Sequence, residues 1–339
     1  RACVGYGPLG GEWTRSPLFG LDHVPSLIGW QHGAVRLRRS PVHVAITGAH
    51  GLIGGALTRS LEADGHEVSA LVRPGSDRPG IEWDPARGTI DVARLEGLDA
   101  VVHLAGEGIA THRWTAAQKQ RILRSRVDGT RLLAGALAKL ERPPSVFLSG
   151  SAIGFYGSRG GELLDESSTP GHDFIAEVCE AWEGATAAAE SAGIRTVRFR
   201  TGIVLSTEDG ILGKQLVPFR LGLGGRAGDG TQWLSWISLP DEVGALRHAI
   251  EHQELSGPVN LTAPRPVTNR EFTKALGRAV HRPTLTVIPR AVRRLPAGIG
   301  PLADMLLFTS SRVAPDALLG SGYRFQHPDL ATALAALLP

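Results

Sequence analysis

The stretch VHVAITGAHGLIG, residues 42–54, decides the fold. A short β-branched run, VHVAITG (42–48), enters a glycine-rich turn and then an apolar-periodic stretch from Leu52 to Ala63, which Gly65 is placed to close as a C-terminal cap. Strand, turn and helix in that order, with glycines at 48, 51 and 54, suit a pyrophosphate. Gly48 permits the tight turn, Gly51 lets the backbone approach the anion, and Gly54 lets helix and strand pack closely while the helix N-terminus faces the charge. Gly48, His50, Gly51, Leu52, Ile53 and Gly54 are therefore candidate dinucleotide contacts.

Outward from this unit, HEVSALVR (66–73), GLDAVVHLAG (97–106), SVFLSGSA (145–152), IRTVRFRTGIVL (194–205) and PVNLTAP (258–264) read as further strands. Helical stretches at 115–140, 173–192 and 240–252 separate most of them. Near-continuous apolar strands alternating with helices imply an α/β fold, a Rossmann-type doubly wound parallel sheet covered on both faces. Residues 42–205 form the expected nucleotide-binding domain, and 237–264 return to it. Residues 206–236 and 265–339 form a small C-terminal α+β lobe, in which Thr268 and Glu271 make a capping box that opens a helix through about Ala279. Residues 1–41 lack periodicity and read as an N-terminal extension or remnant.

The second strand ends in Arg73, where a fold selective for NAD carries a carboxylate for the ribose 2′-hydroxyl. A guanidinium pairs with a 2′-phosphate. The expected cofactor is NADP(H), with Arg73 as discriminator and Arg78 in support.

Composition narrows the partners. Residues 1–40 hold five arginines against Glu12 and Asp22, so the other 299 residues balance at 31 of each sign. A nucleic-acid footprint needs a local basic excess, which is missing. Cys3 and Cys179 are the only cysteines, too few for a disulfide framework or a thiolate zinc site. No apolar run reaches membrane-spanning length, so a cytoplasmic protein without a membrane partner is expected.

With TGAHGLIG (47–54), HLAG (103–106) and SGSAIGFYG (149–157) in this order, the chain resembles the extended short-chain dehydrogenase/reductase superfamily. RWTAAQKQRILRSRVDGTRLL (113–133), WLSWISLPDEVGAL (233–246) and the C-terminal segment 285–338 are similar to its atypical "epimerase family protein" branch over residues 42–338. The resemblance implies cofactor contacts at Leu104, Ala105 and Gly106 and pairing as a homodimer through the helices at 115–140 and 173–192; Ser149, beside Ser151, and Arg200, a polar residue of the fifth strand open to acid–base work, are further candidate cofactor contacts. In that superfamily a Tyr, made labile by a Lys four residues later, works with a Ser at the end of the fourth strand and an upstream Asn. Here no Tyr-x-x-x-Lys exists. The two slots fall on Phe174 and Val178, or one later on Ile175 and Cys179, and Arg126 replaces the Asn. Ser151 survives. Tyr156 follows the fourth strand at its C-terminal end, where such sheets place ligands, as acid–base group or as a wall of the nicotinamide pocket. Glu107 caps a loop or lines the site, and Cys179 is a buried small hydrophobe or a reactive thiol. Trp233 and Trp236 pack the junction with the lobe or line a cleft.

Two functions remain open. One is an NADP(H)-dependent oxidoreductase or epimerase-like enzyme acting on a small carbonyl or sugar-type substrate with Ser151 and Tyr156 as catalytic groups. The other is a non-catalytic NADP(H)-holding regulator or scaffold, since some relatives carry a cell-division label.

Overall fold

The structure is a computed structural model, and it describes residues 41–296 and 298–338. The expectation for the N-terminal extension lies outside the described residues apart from Pro41. In chain order the elements are β1 (His43–Thr47), α1 (Leu52–Ala63), β2 (Glu67–Val72), β3 (Ile81–Asp84), β4 (Thr89–Ile90), β5 (Ala100–His103), α2 (Ala116–Leu137), β6 (Val146–Ala152), β7 (Leu163–Leu164), α3 (Phe174–Gly184), α4 (Ala187–Ser191), β8 (Arg195–Thr201) and β9 (Ile203–Leu205). They continue with α5 (Gly210–Arg220), β10 (Gly225–Ala227), β11 (Trp233–Leu234), β12 (Trp236–Ser238), α6 (Leu239–Glu251), β13 (Gly257–Leu261), β14 (Val267–Thr268), α7 (Asn269–Ala279), β15 (Thr286–Ile288), α8 (Ile299–Phe308), β16 (Arg312–Val313), α9 (Asp316–Gly320) and α10 (Leu330–Leu337).

Eight strands form one sheet in the order β13-β8-β6-β5-β1-β2-β3-β4. Every neighbouring pair is parallel except β3 and β4. One face buries Val44, Ile46, Val102, Leu148, Phe199 and Val259 against Leu57 of α1 and Leu246 of α6. The other buries Ala45, Val101 and Phe147 against Leu133 and Leu137 of α2. Alternate side chains of one strand thus enter different cores, which is why these strands read as continuous apolar runs.

Three features differ from the sequence expectation. β3 and β4 extend the sheet beyond β2, too short for an alternation to show. The helix expected over 173–192 is two helices, separated by a turn at Ala185 and Thr186, where Thr186 N–H and Oγ1 both bond the Glu183 carbonyl. The strand expected over 194–205 breaks at Gly202, whose N–H bonds to the Leu261 carbonyl, and β9 then leaves the sheet to pair with β12. The Gly65 cap and the Thr268–Glu271 capping box both form. None of the helices among the described residues is long and apolar enough to cross a membrane.

The C-terminal segment is held to the first turn of α6 by one buried carboxylate. Asp241 accepts from Ser238 Oγ at 2.7 Å, Gln326 N–H at 2.7 Å, His327 N–H at 3.0 Å and the Tyr323 hydroxyl at 3.3 Å. Asp241→Asn places an amide N–H₂ against groups that need an acceptor. A loss of roughly 1.5–3 kcal/mol is expected, read as a lower midpoint in thermal unfolding with the parent as reference.

Candidate functional site

The cradle starts where β1 ends. Gly48 turns at φ +68°, and a Cβ there would stand 3.1 Å from the backbone of Leu104 and Ala105. A Cβ on Gly54 would overlap the Gly48 carbonyl oxygen. These two positions bring the start of α1 against the loop after β5, leaving its first N–H groups open to an anion.

Thr47, which the sequence reading passed over, ties the two loops together. Its hydroxyl accepts from Leu104 N–H at 3.0 Å and Ala105 N–H at 3.1 Å, and it donates to His103 Nδ1 at 2.7 Å. Burial, and then the charge of Arg126, push the His103 imidazole down to about 3, so the ring is neutral. The only signal in the sequence was a threonine immediately before the first glycine of the turn.

Beside the cradle is a cavity of about 340 Å³. Gly48, His50, Gly51 and Ala105 of the cradle line it together with Arg73, Ser76, Arg78 and Trp83. The Arg73 guanidinium lies 3.4 Å from Asp84 Oδ1 and 5.4 Å from the Trp83 ring centre, and it is 60% exposed. An exposed pair of this length holds the side chain weakly. Arg73 is thus free to turn to a phosphate. Leu52 and Ile53 are half-buried in the first turn of α1, and Gly106 is exposed past the end of β5.

At the other end of the sheet, Ser151, Arg200 and Asn260 stand side by side in register on β6, β8 and β13. Their common face looks toward α3. Arg200 forms a two-pronged pair with Glu183, Nε to Oε1 at 2.8 Å and Nη2 to Oε2 at 2.9 Å, and donates from Nη1 to the Tyr156 hydroxyl at 2.9 Å. Ser151 donates to Glu183 Oε1 at 2.7 Å, and Tyr156 donates to Asn260 Oδ1 at 2.7 Å. Burial alone would lower the Arg200 pKa. The hydrogen bonds and charge of Glu183 more than reverse that.

Four of the expected site residues are buried in this region. Arg200 is 4% exposed and donates to Glu183, to Tyr156 and to the Glu166 carbonyl. Tyr156 is fully buried, and desolvation pushes its phenol up to about 12 against the pull of Arg200. Its hydroxyl donates to Asn260 and accepts from Arg200. Ser149 is also fully buried, donating to the Gly150 carbonyl within its own strand. Ser151 is 5% exposed with its proton directed at Glu183, so it stands at the strand end as a positioned oxygen.

The structure also chooses between the two placements of the missing pair. Asp173 caps α3 by accepting from Ile175 and Ala176 N–H, both at 3.0 Å. Ile175, Cys179 and Glu183 then fall at i, i+4 and i+8 on the face toward β6. Ile175 abuts Gly154, and Cys179 lies within hydrogen-bond reach of Ser151. These two, not Phe174 and Val178, occupy the Tyr and Lys slots. Burial, and then the Glu183 charge, push the Cys179 thiol up to about 12, so it remains a thiol. Glu107 lies at the mouth, where Oε1 accepts from Gln118 Nε2 at 3.1 Å. Trp236 is fully buried, whereas Trp233 is half-exposed beneath the Arg312 guanidinium.

Removing Glu183 strands the Arg200 cation. Glu183→Ala is expected to cost about 3–5 kcal/mol in chemical denaturation. A second buried acid behaves differently. Glu242 accepts from Thr201 Oγ1 at 2.8 Å through Oε1, Oε2 has no partner among the described residues, and desolvation pushes its pKa up to about 8. The folded state therefore keeps a proton that the unfolded chain releases near the ordinary carboxylate pKa, and stability falls as pH rises toward 8. In Glu242→Gln this decline is expected to flatten, with parent and variant compared by denaturation from pH 5 to 9.

Comparison with known proteins agrees with this architecture. The model of the NAD dependent epimerase/dehydratase family matches residues 44–261, and a domain of unknown function, DUF1731, matches residues 288–337. The chain is 44% identical over 292 residues to the epimerase family protein Mb2239 of Mycobacterium bovis, covering 86% of this chain and 96% of that protein. It is 36% identical to the human epimerase family protein SDR39U1, covering 88% and 100%. The crystal structure of human SDR39U1 (isoform 2) with NADPH superposes with a TM-score of 0.79 at 34% identity, covering 88% of this chain and 99% of that one. From the glycine cradle through β13, the chain belongs to the NAD dependent epimerase/dehydratase family.

Proposed function

We propose that the protein binds NADP(H) across the C-terminal ends of β1, β2 and β5 and acts as an NADP(H)-dependent oxidoreductase or epimerase-like enzyme on a small carbonyl or sugar-type substrate. The carrying observation is the cavity at the end of β2, which two arginines line and no carboxylate does. A carboxylate there would bind a ribose hydroxyl and repel a 2′-phosphate. Arg73 and Arg78 do the reverse. NADPH in the structure of human SDR39U1 supports the same cofactor.

The residues present fit the group. Close backbone approach at Gly48 and the uncapped start of α1 leave N–H donors for a pyrophosphate, and Thr47 fixes the opposite loop. When bound, the nicotinamide supplies or takes up a hydride. The protein contributes orientation: Glu183 fixes Ser151, and Arg200 and Tyr156 hold Glu183 and Asn260. Ile175 has no ionisable group and the buried Cys179 thiol does not titrate near neutrality, so neither supplies the acid–base function of a Tyr–Lys pair.

NADPH is expected to bind about tenfold or more tighter than NADH, and Arg73→Glu to erase most of that preference. Cofactor fluorescence titrations of parent and variant decide it. Equal dissociation constants for the two cofactors in the parent overturn the assignment.

A further inference from the structure

Arg126 lies on α2 and is 8% exposed. Nη1 donates to the Glu107 carbonyl at 2.9 Å and to the Ile122 carbonyl at 3.2 Å, and Cζ stands 5.0 Å from the centre of the Trp182 ring. Among the described residues Nε and Nη2 make no hydrogen bond, and no carboxylate lies within ion-pairing distance of the guanidinium. Glu107, the acid whose charge Arg126 feels, has Oε1 engaged by Gln118. The contrast with Arg200 is sharp, since that equally buried guanidinium is matched on both prongs by Glu183. A buried cation without a counter-charge is costly, and an anion that reached it would recover much of that cost.

Its place says which anion. A methyl on Gly106 would come 3.3 Å from Cζ, so the guanidinium lies against the loop that follows β5. On the other side the Trp182 ring, 5.0 Å from Cζ, packs against Gly150 of β6. Arg126 therefore stands between the cofactor cradle and the end of β6. The edge left open carries Nε–H and one Nη2–H in parallel, the fork that a carboxylate accepts with both oxygens.

We infer that Arg126 receives a carboxylate carried by the substrate, so that the substrate class is a small carbonyl compound bearing a carboxylate. This rests on the NADP(H) reading, and it narrows the substrate by chemistry alone.

The test uses oxalate as the carboxylate probe and thermal unfolding as the readout, on the full chain with and without NADPH, at ionic strength matched with chloride. A ligand of the folded state raises the midpoint in proportion to its affinity. Oxalate is expected to raise the parent's midpoint, and Arg126→Gln to weaken oxalate about tenfold or more while NADPH affinity changes less than about twofold. Arg126→Lys, which keeps the charge and loses the fork, is expected to fall between them, and it serves if the Gln variant does not fold. Equal oxalate affinity in parent and variants overturns the inference. So does a parallel loss of NADPH affinity with no oxalate binding to the parent, which makes a cofactor phosphate the counter-ion. If the parent binds oxalate through Arg126 but not NADPH, the carboxylate site stands and the cofactor reading falls.

Discussion

The buried pair of Glu183 and Arg200 ties α3 to the sheet and sets the positions of everything around it. Two charges removed from water are tolerated only when geometry is two-pronged and the remaining donors and acceptors are met. Here most of them are: Ser151 adds a donor to the carboxylate, and Tyr156 and the Glu166 carbonyl take the two Nη1 protons. The consequence runs further than the pair. Tyr156 orients Asn260, whose Nδ2 donates to the Ala314 carbonyl, and the Ala314 N–H donates in turn to the Leu164 carbonyl. One ion pair thus fixes the edge of the nucleotide-binding sheet and the strand of the C-terminal module that crosses it.

Around this fixed row, the cleft has two ends governed by different physics. At the cradle, contact is by backbone, made possible by what is missing: side chains at Gly48 and Gly54 would block the approach of α1 to the β5 loop. At the end of β6, side chains decide, and their charges are settled by burial. A phenol and a thiol are pushed up to about 12 and an imidazole down to about 3, so none of the three changes state near neutrality. The site is electrostatically stiff.

This division explains what the sequence could reveal. The cradle and Arg73 depend on spacing within some thirty residues, and local spacing is what a sequence displays. The network joins Ser151, Glu183, Arg200 and Asn260 across four elements, and strands buried on both faces give no alternation to tell which side chain meets which helix. Arg200 and Tyr156 are legible in the sequence only as polar residues at strand ends, because their partners are far away in the chain. The one-residue ambiguity between Phe174/Val178 and Ile175/Cys179 had the same origin. It yields only to the Asp173 cap, which sets the rotation of α3, and to the contact of Ile175 with Gly154.

Set beside the pattern that the superfamily resemblance implies, the two exchanges in this site are one change. A lysine on α3 would place an ammonium next to Ser151, and a second cation at Arg126 would then repel it across a poorly screened interior. Cysteine at 179 removes the first charge, and arginine at 126 restores it from α2, on a planar group that does not give up its proton. The positive charge near the strand end is thereby carried by a group that does not titrate near neutrality. A cysteine where the pattern has a lysine, and an arginine where it has an asparagine, thus set this row of residues apart from a Tyr–Lys arrangement on the same scaffold.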